Sequence, residues 1–341
     1  MKYKSIIFLF LLMLPAPTIF GSSETGGDTI YVASWNVENL FDTEDNPLKN
    51  DDEFTPEGSK KWTYEKLEQK LDNLERVINY MNDGCGPDIL CLQEVENIWM
   101  AKRLIYRLTY RDYVVAYRES PDERGIDVTV IYDRNIFSVV NVDTFSVNLP
   151  DGDKTRYIML LELKHRKSGD VLYLLGNHWP SRSGGREKSE PNRLAAAARL
   201  RTVIDSLANL NANANIIALG DFNDEPDNQS IVNVLRASKE IEEPGDLLNL
   251  SYERFEKGEG TYNFRKDWNM IDQIIVSGAL VDGRGLDYVK NSFEIVRPEY
   301  MIQKEGDYKG APLRTFVGNR YFGGFSDHFP VAAKFYLKQS E

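Results

Sequence analysis

Short, nearly continuous apolar runs alternate along the chain with longer segments whose apolar residues recur at helical spacing. Such a run, bounded by turn residues, is typical of a strand that is covered on both faces. The runs that we predict as strands are 29–37, 89–95, 126–132, 157–163, 171–175 and 216–219. Because strands covered on both faces occur chiefly where helices pack on a sheet, the pattern predicts an α/β fold.

Two segments between these strands have helical periodicity. In the first, the spacing alternates between four and three residues, which forms one apolar stripe facing a core. The stripe consists of Leu67, Leu71, Leu74, Ile78 and Met81. The second segment covers 190–210, where Pro191 suits a first helical turn because that position needs no N–H donor. No long linker interrupts the chain, so we predict a single domain over 29–341.

The N-terminus has the pattern of a secretory signal. Lys2 and Lys4 precede a short apolar run at 6–14, and small residues follow at 21–23. That run is too short for a transmembrane helix, which needs about 20 apolar residues. We therefore predict a signal peptide over 1–22, a flexible segment over 23–28, and export to the periplasm or the extracellular space. An uncleaved anchor is the alternative.

Composition narrows the class of protein. The chain has 341 residues, 42% of them apolar, which is typical of a globular protein. Its formal net charge of -12 counts against a protein that coats nucleic acid by bulk positive charge, although a local basic groove is compatible with it. Only two cysteines are present, which excludes a disulfide-framework fold and a four-cysteine zinc ribbon. Whether Cys85 and Cys91 pair is left open by the sequence.

Polar side chains recur at the ends of the predicted strands or inside apolar runs. They are Asn36, Glu94, Asn177, His178, Asp221, Asn223, Asp272, Asp327 and His328. Burying such groups costs a few kcal/mol each unless they find partners, so we expect them to be partners of one another at one rim. Singly, each has an ordinary alternative as a turn former, a cap or a surface residue.

The residue types favour metal-assisted hydrolysis of a phosphoester. Oxygen donors such as Glu94 and Asn36 suit a hard divalent ion, Mg²⁺ before Mn²⁺ or Ca²⁺. A histidine paired with an aspartate suits general acid–base work. The chain has no phosphate-binding P-loop, no serine nucleophile elbow and no dinucleotide-binding glycine motif, so attack by water is favoured over a covalent route.

Six short motifs, taken in their order along the chain, resemble those of the endonuclease/exonuclease/phosphatase (DNase I-like) superfamily. They are Trp35-Asn36, Gln93-Glu94, Asn177-His178, Gly220-Asp221-Phe222-Asn223, Ile271-Asp272 and Ser326-Asp327-His328. The resemblance extends over about 30–331. It implies a four-layer α/β sandwich, in which two face-to-face mixed β-sheets are flanked by helices.

The resemblance also implies a role for each motif residue. The implied metal ligands are Glu94, Asn36 and Asp327, and the implied catalytic residues are His178, Asp221, Asn223, Asp272 and His328. Asp221 would orient or deprotonate the attacking water, and Asn223 would hold a phosphate oxygen. His328, paired with Asp272, would contact the scissile phosphate, and His178 would contact the phosphate from the other side, with protonation of the leaving group as a further role.

The substrate is less well defined by the sequence. A basic stretch after His178 carries Arg182, Arg186, Lys188 and Arg193, which form either a solvated mobile loop or a phosphate clamp. Arg124 is similarly ambiguous, since it could pair with Asp127. Three aromatic residues before Asp272 could line the cleft or stack a base, although packing is the commoner role: Tyr262, Phe264 and Trp268.

The leading hypothesis is an exported, Mg²⁺-dependent phosphodiesterase that degrades DNA or RNA. The second is a phosphatase or phospholipase C-like hydrolase acting on inositol phosphates, sugar phosphates or phospholipid headgroups. The third is an inactive binding protein on the same fold, which the intact set of motif residues disfavours. No amphipathic membrane-binding helix is evident, and no stable membrane span or protein partner is inferred.

Overall fold

The computed structural model describes residues 29–337, so the predicted signal peptide at 1–22 and the segment 23–28 lie outside the described residues. The strands are β1 (Thr29–Leu40), β2 (Ile89–Val95), β3 (Tyr113–Tyr117), β4 (Asp127–Asp133), β5 (Phe137–Phe145), β6 (Ile158–His165), β7 (Val171–His178), β8 (Asn215–Asp221), β9 (Ala237–Ser238), β10 (Leu247–Asn249), β11 (Tyr262–Phe264), β12 (Asp267–Asn269), β13 (Asp272–Ser277), β14 (Leu286–Tyr288), β15 (Glu294–Ile295), β16 (Phe316–Val317), β17 (Arg320–Tyr321) and β18 (Val331–Leu337). The α-helices are α1 (Tyr64–Tyr80), α2 (Ile98–Ile105), α3 (Arg186–Leu210) and α4 (Tyr252–Glu256). Within this range no helix has the length and apolar character needed to cross a bilayer.

The strands form two mixed seven-stranded sheets and two small hairpins. The first sheet has the order β14-β18-β1-β2-β4-β3, with β15 also paired to β18. The second has the order β5-β6-β7-β8-β13-β10-β9, and the hairpins are β11-β12 and β16-β17. Parallel pairs, β1 with β2 and β7 with β8, lie at the centre of each sheet among antiparallel neighbours. Strand ends from both sheets can therefore meet at one edge.

Alternating side chains of β8 show how the layers stack. Ile217 and Leu219 point into the core shared by the two sheets, whereas Ile216 and Ala218 join a second core beneath α3. The apolar stripe of α1 is buried, as predicted from its spacing, and belongs to the same contiguous hydrophobic cluster as the strands of the first sheet. The arrangement of helix, sheet, sheet and helix confirms the predicted four-layer α/β sandwich.

The apolar runs located the strands well, and one helix boundary was wrong. The predicted strand at 89–95 coincides with β2, and the other predicted strands lie on β1, β4, β6, β7 and β8. Helix α3 begins at Arg186, earlier than the predicted 190, so Pro191 lies inside the helix rather than in its first turn. Cys85 is exposed and Cys91 is buried, and both are free thiols, which settles the question left open by the sequence.

Candidate active site

The candidate site forms where both sheets present strand ends at one edge. His178 and Asp221 are the last residues of the parallel strands β7 and β8 and are register partners. Asp272, the first residue of β13, pairs with Asp221 from the other side. From the first sheet, Asn36 donates its Nδ2–H to Asp221 Oδ2 at 3.0 Å. This hydrogen bond joins the two sheets at the floor of the site.

Glu94 reaches this floor through irregular backbone. The register of β1 with β2 shifts between Asn36 and Leu40. Glu94 has φ of 65° and Asn39 has φ of 57°, in the left-handed region that costs energy for residues other than glycine. Asn39 donates its N–H to Glu94 Oε2 at 2.9 Å, and Asn36 Nδ2 lies 3.3 Å from Oε1. The strained backbone therefore aims two hydrogen-bond donors at this carboxylate.

Three carboxylates face the same cleft and, among the described residues, have no lysine or arginine as a counter-ion, although the His328 ring lies 3.9 Å from Asp221 and 3.8 Å from Asp327. Within residues 29–337, none of Glu94, Asp221 and Asp327 has a lysine or arginine nitrogen within 4.0 Å. Converging carboxylates repel one another unless a cation or a proton lies among them. Carboxylate oxygens are also the preferred ligands of hard divalent ions. The donor set thus fits a divalent metal ion, and it includes the predicted Glu94 and Asp327.

A tighter grouping of donor atoms lies beside these carboxylates. Ligand atoms of Asp221, Asp272 and His328 are all within 4.8 Å of one another and could hold a metal ion. However, His328 Nδ1 lies 2.7 Å from Asp272 Oδ2 in a direct hydrogen bond. This contact engages Nδ1 and Asp272 Oδ2 with each other, and the pKa of His328, held well above 6.5, disfavours the unprotonated imidazole that a metal ion requires. The pair is therefore less suited to holding a metal ion than the carboxylates of Glu94, Asp221 and Asp327.

The His328–Asp272 pair is buried and firmly oriented. Asp272 is fully buried, and its Oδ2 also accepts a hydrogen bond from Thr261 Oγ1 at 2.5 Å. Burial by itself would lower the pKa of His328, but the charges of Asp272 and Asp327 and the hydrogen bond to Asp272 outweigh it and hold that pKa well above 6.5. The Tyr262 ring lies against the imidazole with centroids 4.8 Å apart. The geometry holds a positive imidazolium at the cleft.

His178 has the opposite electrostatic environment. Burial, together with the charges of Arg156 and Arg124, lowers its pKa well below 6.5. Its Nε2 lies 3.6 Å from Asp221 Oδ2 and 3.8 Å from Glu94 Oε1, and its buried Nδ1 has no hydrogen-bond partner in the described residues. The ring is neutral at pH 7. A neutral imidazole is a poor acid, which counts against the expected role of His178 in protonating the leaving group.

Asp221 and Asn223 occupy a tight turn after β8. The backbone N–H of Asn223, which has φ of 52°, donates to Asp221 Oδ1 at 2.9 Å. The Asn223 side chain donates to the carbonyl oxygen of Trp179 at 3.0 Å. Burial raises the pKa of Asp221 to about 7, and the charge of His328 opposes this shift while that of Asp272 adds to it. A carboxyl group with such a pKa can accept a proton at neutral pH.

The predicted basic loop is split between a loop and the start of α3. Arg182 lies on the cleft wall, but its guanidinium donates to Asn223 O at 2.7 Å, Asn269 Oδ1 at 2.8 Å and Asn228 Oδ1 at 3.2 Å. Arg186 also lines the cleft and its side chain is 56% exposed. Lys188 is exposed on the helix and is not among the residues that line the cleft.

Arg193 does not lie where the sequence placed it. Its side chain is fully buried, and its Nε lies 2.7 Å from Asp224 Oδ1. It also donates to Ser189 Oγ at 2.8 Å and to the carbonyl oxygen of Arg186 at 3.0 Å. Because the position falls on the inner face of α3, the side chain braces the helix against the turn after β8. We correct its role from substrate contact to structural support.

The cleft has a volume of about 660 Å³ and combines the floor residues with an aromatic and basic rim. Tyr262 and Phe264 line it, whereas Trp268 packs on Phe329 with ring centroids 6.1 Å apart. Arg124 and Arg265 also line it. Arg124 lies 3.5 Å from Asp122, so the pairing of Arg124 with Asp127 that the sequence allowed is not formed.

Sequence reasoning missed Arg156, which supports the site from below. This buried guanidinium donates to the carbonyl oxygens of His178 at 3.2 Å and Trp179 at 2.6 Å, and to Asp122 Oδ2 at 3.0 Å. It thereby fixes the end of β7. The sequence gives no signal of this role, because two of the arginine's partners are backbone carbonyl groups, which every residue has.

Comparisons with known proteins agree with this geometry. The sequence model of the Endonuclease/Exonuclease/phosphatase family matches residues 31–338. No curated protein sequence matches the chain. The human Nocturnin catalytic domain is similar in structure, with 19% identity, a TM-score of 0.56, and coverage of 92% of this chain and 98% of that one.

Two further solved structures are similar. A mannosyl-6-phosphatase of Bacteroides thetaiotaomicron has 16% identity and a TM-score of 0.56, with coverage of 90% of this chain and 99% of that one. Truncated TDP2 of Caenorhabditis elegans has 18% identity and a TM-score of 0.55, with coverage of 91% and 98%. At such identities the structures show the fold, while the sequence match over most of the chain shows the family. The chain belongs to the endonuclease/exonuclease/phosphatase family of phosphoester hydrolases.

Proposed function

We propose that the protein is an exported, divalent-metal-dependent phosphodiesterase that cleaves nucleic acid. One observation carries the chemistry: carboxylates with no lysine or arginine partner in the described residues lie beside a positive imidazolium at the floor of an open cleft. A phosphodiester needs both kinds of group, because negative charge must be offset while water is activated. When bound, Mg²⁺ would supply Lewis-acid polarisation of a phosphoryl oxygen, held by Glu94 and Asp327.

The chain's own residues divide the remaining work. Asp221 accepts a proton from the attacking water, whose oxygen forms the new bond to phosphorus as the ester P–O bond breaks, and the leaving oxygen takes up a proton from solvent in the open cleft. His328 donates its N–H to a phosphoryl oxygen and offsets the developing charge, while Asp272 keeps the ring oriented. His178, which is neutral, contributes a hydrogen bond rather than a proton. Asn223 positions the phosphate from the turn after β8.

The rim supports a polyanionic substrate. Arg124, Arg186 and Arg265 line the cleft although the whole chain has a net charge of -12. A local basic rim on an acidic protein concentrates positive potential where a polynucleotide backbone would enter. Export rests on the N-terminal pattern of Lys2, Lys4 and the apolar run at 6–14. Its test is recovery of the mature protein, without 1–22, from outside the cytoplasm.

A second candidate is a phosphatase that acts on a phosphorylated sugar. The observation in its favour is the bounded cleft, whose volume of about 660 Å³ lies within the range of small-molecule sites. A phosphatase would use the same floor and would leave the rim arginines less engaged. The two functions therefore differ in the number of phosphates that the substrate presents.

The test is an activity panel on the mature protein with and without Mg²⁺. It offers single-stranded DNA, RNA, duplex DNA and a set of sugar and inositol phosphates. We expect strand cleavage that EDTA abolishes and that restored Mg²⁺ recovers. Release of inorganic phosphate from sugar phosphates, with all nucleic acids intact, would replace the nuclease by the phosphatase.

A further inference from the structure

The β11–β12 hairpin is fixed at its base to the catalytic histidine. Tyr262 forms an isolated backbone bridge with His328 as well as the ring contact. Thr261, just before the hairpin, donates to Asp272. At the other end, Asn269 Oδ1 accepts a hydrogen bond from the Arg182 guanidinium at 2.8 Å. The hairpin is therefore held in place relative to the reacting phosphate.

The turn of this hairpin presents an aromatic ring and a cation to the cleft. Arg265 and Lys266 have φ of 52° and 77°, which makes a tight left-handed turn. Phe264 is 53% exposed and lines the cleft, and the Arg265 guanidinium lies 5.1 Å from its ring centroid. Lys266 points elsewhere and pairs with Asp307 at 3.2 Å. Packing does not account for Phe264, because more than half of its surface is open to solvent.

The nearby charges are available to an anion. Within residues 29–337, Arg265 has no carboxylate within 4.0 Å. Arg186, at the start of α3, lines the same cleft. Its nearest carboxylate, that of Glu225, is 3.9 Å away. A substrate with a single phosphate would place it on the floor and leave both arginines without a substrate phosphate to bind. A strand with a second phosphate would engage them.

We propose that Phe264, Arg265 and Arg186 form a nucleotide subsite beside the reacting phosphate. In it, Phe264 stacks a base and the two arginines contact the next phosphate of a single strand. This inference rests on the proposed nuclease function and names its substrate class as single-stranded oligonucleotides. An aromatic face stacks any base, so the subsite selects for the presence of a base rather than for sequence. Paired bases inside a duplex are not accessible to this ring.

The test compares two substrates that differ only in their bases. One is a short single-stranded oligonucleotide, and the other is the same strand with abasic residues flanking the cleaved bond. We expect wild type to have about a tenfold lower KM for the base-bearing strand, within the range of base–aromatic stacking. Phe264→Ala should abolish that preference by raising KM for the base-bearing strand, and Phe264→Trp should retain it.

A matched control lies in the same turn. Lys266→Ala changes a neighbouring exposed residue that faces away from the cleft, so it should leave both KM values unchanged. Arg265→Ala should raise KM for both strands and reduce the salt dependence of binding.

The outcomes separate the subsite from the function it rests on. Equal KM values for both strands in wild type, with EDTA-sensitive cleavage of each, would overturn the subsite and leave the nuclease standing. So would a base preference that survives Phe264→Ala. Metal-dependent turnover of sugar phosphates, with no strand cleaved, would overturn both.

Discussion

Asp272 Oδ2 accepts two hydrogen bonds at once, from His328 Nδ1 at 2.7 Å and from the Thr261 hydroxyl at 2.5 Å. The carboxylate is fully buried, and its second oxygen has no partner in the described residues. One oxygen thus fixes the imidazole, while the charge of the whole group keeps the ring protonated. The pair explains how a buried histidine can remain an imidazolium at neutral pH.

Replacing Asp272 should therefore change both the rate and its pH dependence. In Asp272→Asn, the charge that raises the pKa of His328 is gone, so the imidazolium should lose its proton at lower pH. We expect kcat to fall by a factor of about 10² or more. The alkaline limb of the kcat–pH profile should move toward acidic pH. An unshifted profile with a normal kcat would remove His328 and Asp272 from the mechanism.

Arg193 provides a test of the corrected role for a predicted substrate residue. Arg193→Met should remove the nearer ion-pair partner of the buried Asp224, leaving only the Arg182 guanidinium at 3.6 Å, and should lower the free energy of unfolding by up to about 3–5 kcal/mol. It should leave KM unchanged at a temperature where the variant is folded. Arg186→Met is the matched change on the exposed side of the same helix. It should raise KM and leave the free energy of unfolding nearly unchanged. A raised KM in folded Arg193→Met would restore the original prediction.

Lys70 supports the segment that carries Asp327 and His328. It is buried on α1, and its Nζ donates to Thr315 Oγ1 at 2.6 Å and to the carbonyl oxygen of Phe325 at 2.7 Å. Lys70→Met should leave these acceptors unpaired and destabilise the protein by about 1–3 kcal/mol. It should also raise the Mg²⁺ concentration needed for half-maximal activity.

Lys66→Met is the control for this change. Lys66 lies one turn earlier on α1 and donates to backbone carbonyls of Lys60 and Lys61 near the surface. The Lys66→Met substitution should change the free energy of unfolding by no more than about 0.5 kcal/mol, and it should leave the Mg²⁺ requirement unchanged. An unaltered Mg²⁺ requirement in Lys70→Met would make that lysine purely structural.

Asp127 predicts a pH dependence of stability. Burial raises its pKa to about 6, while hydrogen bonds from Ser120 and Tyr117 oppose the shift. Between about pH 4 and 6 the folded protein thus keeps a proton that the unfolded chain has already lost. The free energy of unfolding should therefore fall as the pH rises through this window, by roughly 2–3 kcal/mol.

Asp127→Asn removes this titration and so isolates it. Chemical denaturation at pH 4 and at pH 6.5 should show that wild type loses stability relative to the variant as the pH rises. The lost carboxylate acceptor shifts the variant equally at both pH values, so it does not affect this difference. A constant difference between the two proteins would show that Asp127 has an ordinary pKa in the folded state.

The sequence was most informative where the hydrophobic pattern and the local turns agree. Strand β2 was predicted at its observed bounds because a continuous apolar run follows the turn residues at 83–87. The motif residues at the ends of β7 and β8 do meet, because parallel neighbours end at the same edge. The site was predictable as a set of residues for the same reason.

Other features depend on contacts that the pattern does not contain. Lys70 is buried because its donors are satisfied by a distant segment, which no helical periodicity reveals. The start of α3 was missed because the turn that precedes the helix is formed by Gly184 and Gly185, which both have positive φ. The helix therefore begins at Arg186, five residues before Pro191. For Arg193 a signal did exist: Ala196, Ala197 and Leu200 share its helix face, and that face is buried.

The most direct test of the central claim is Mg²⁺-dependent phosphodiester hydrolysis by wild type, Glu94→Gln and Glu96→Gln. Glu94 faces the cleft, whereas Glu96, two residues along, accepts the N–H of Asp42 at 2.6 Å outside it. The account predicts turnover in wild type and Glu96→Gln that EDTA abolishes, and loss of turnover in a folded Glu94→Gln. Full activity in Glu94→Gln, or turnover that persists in EDTA, would contradict it.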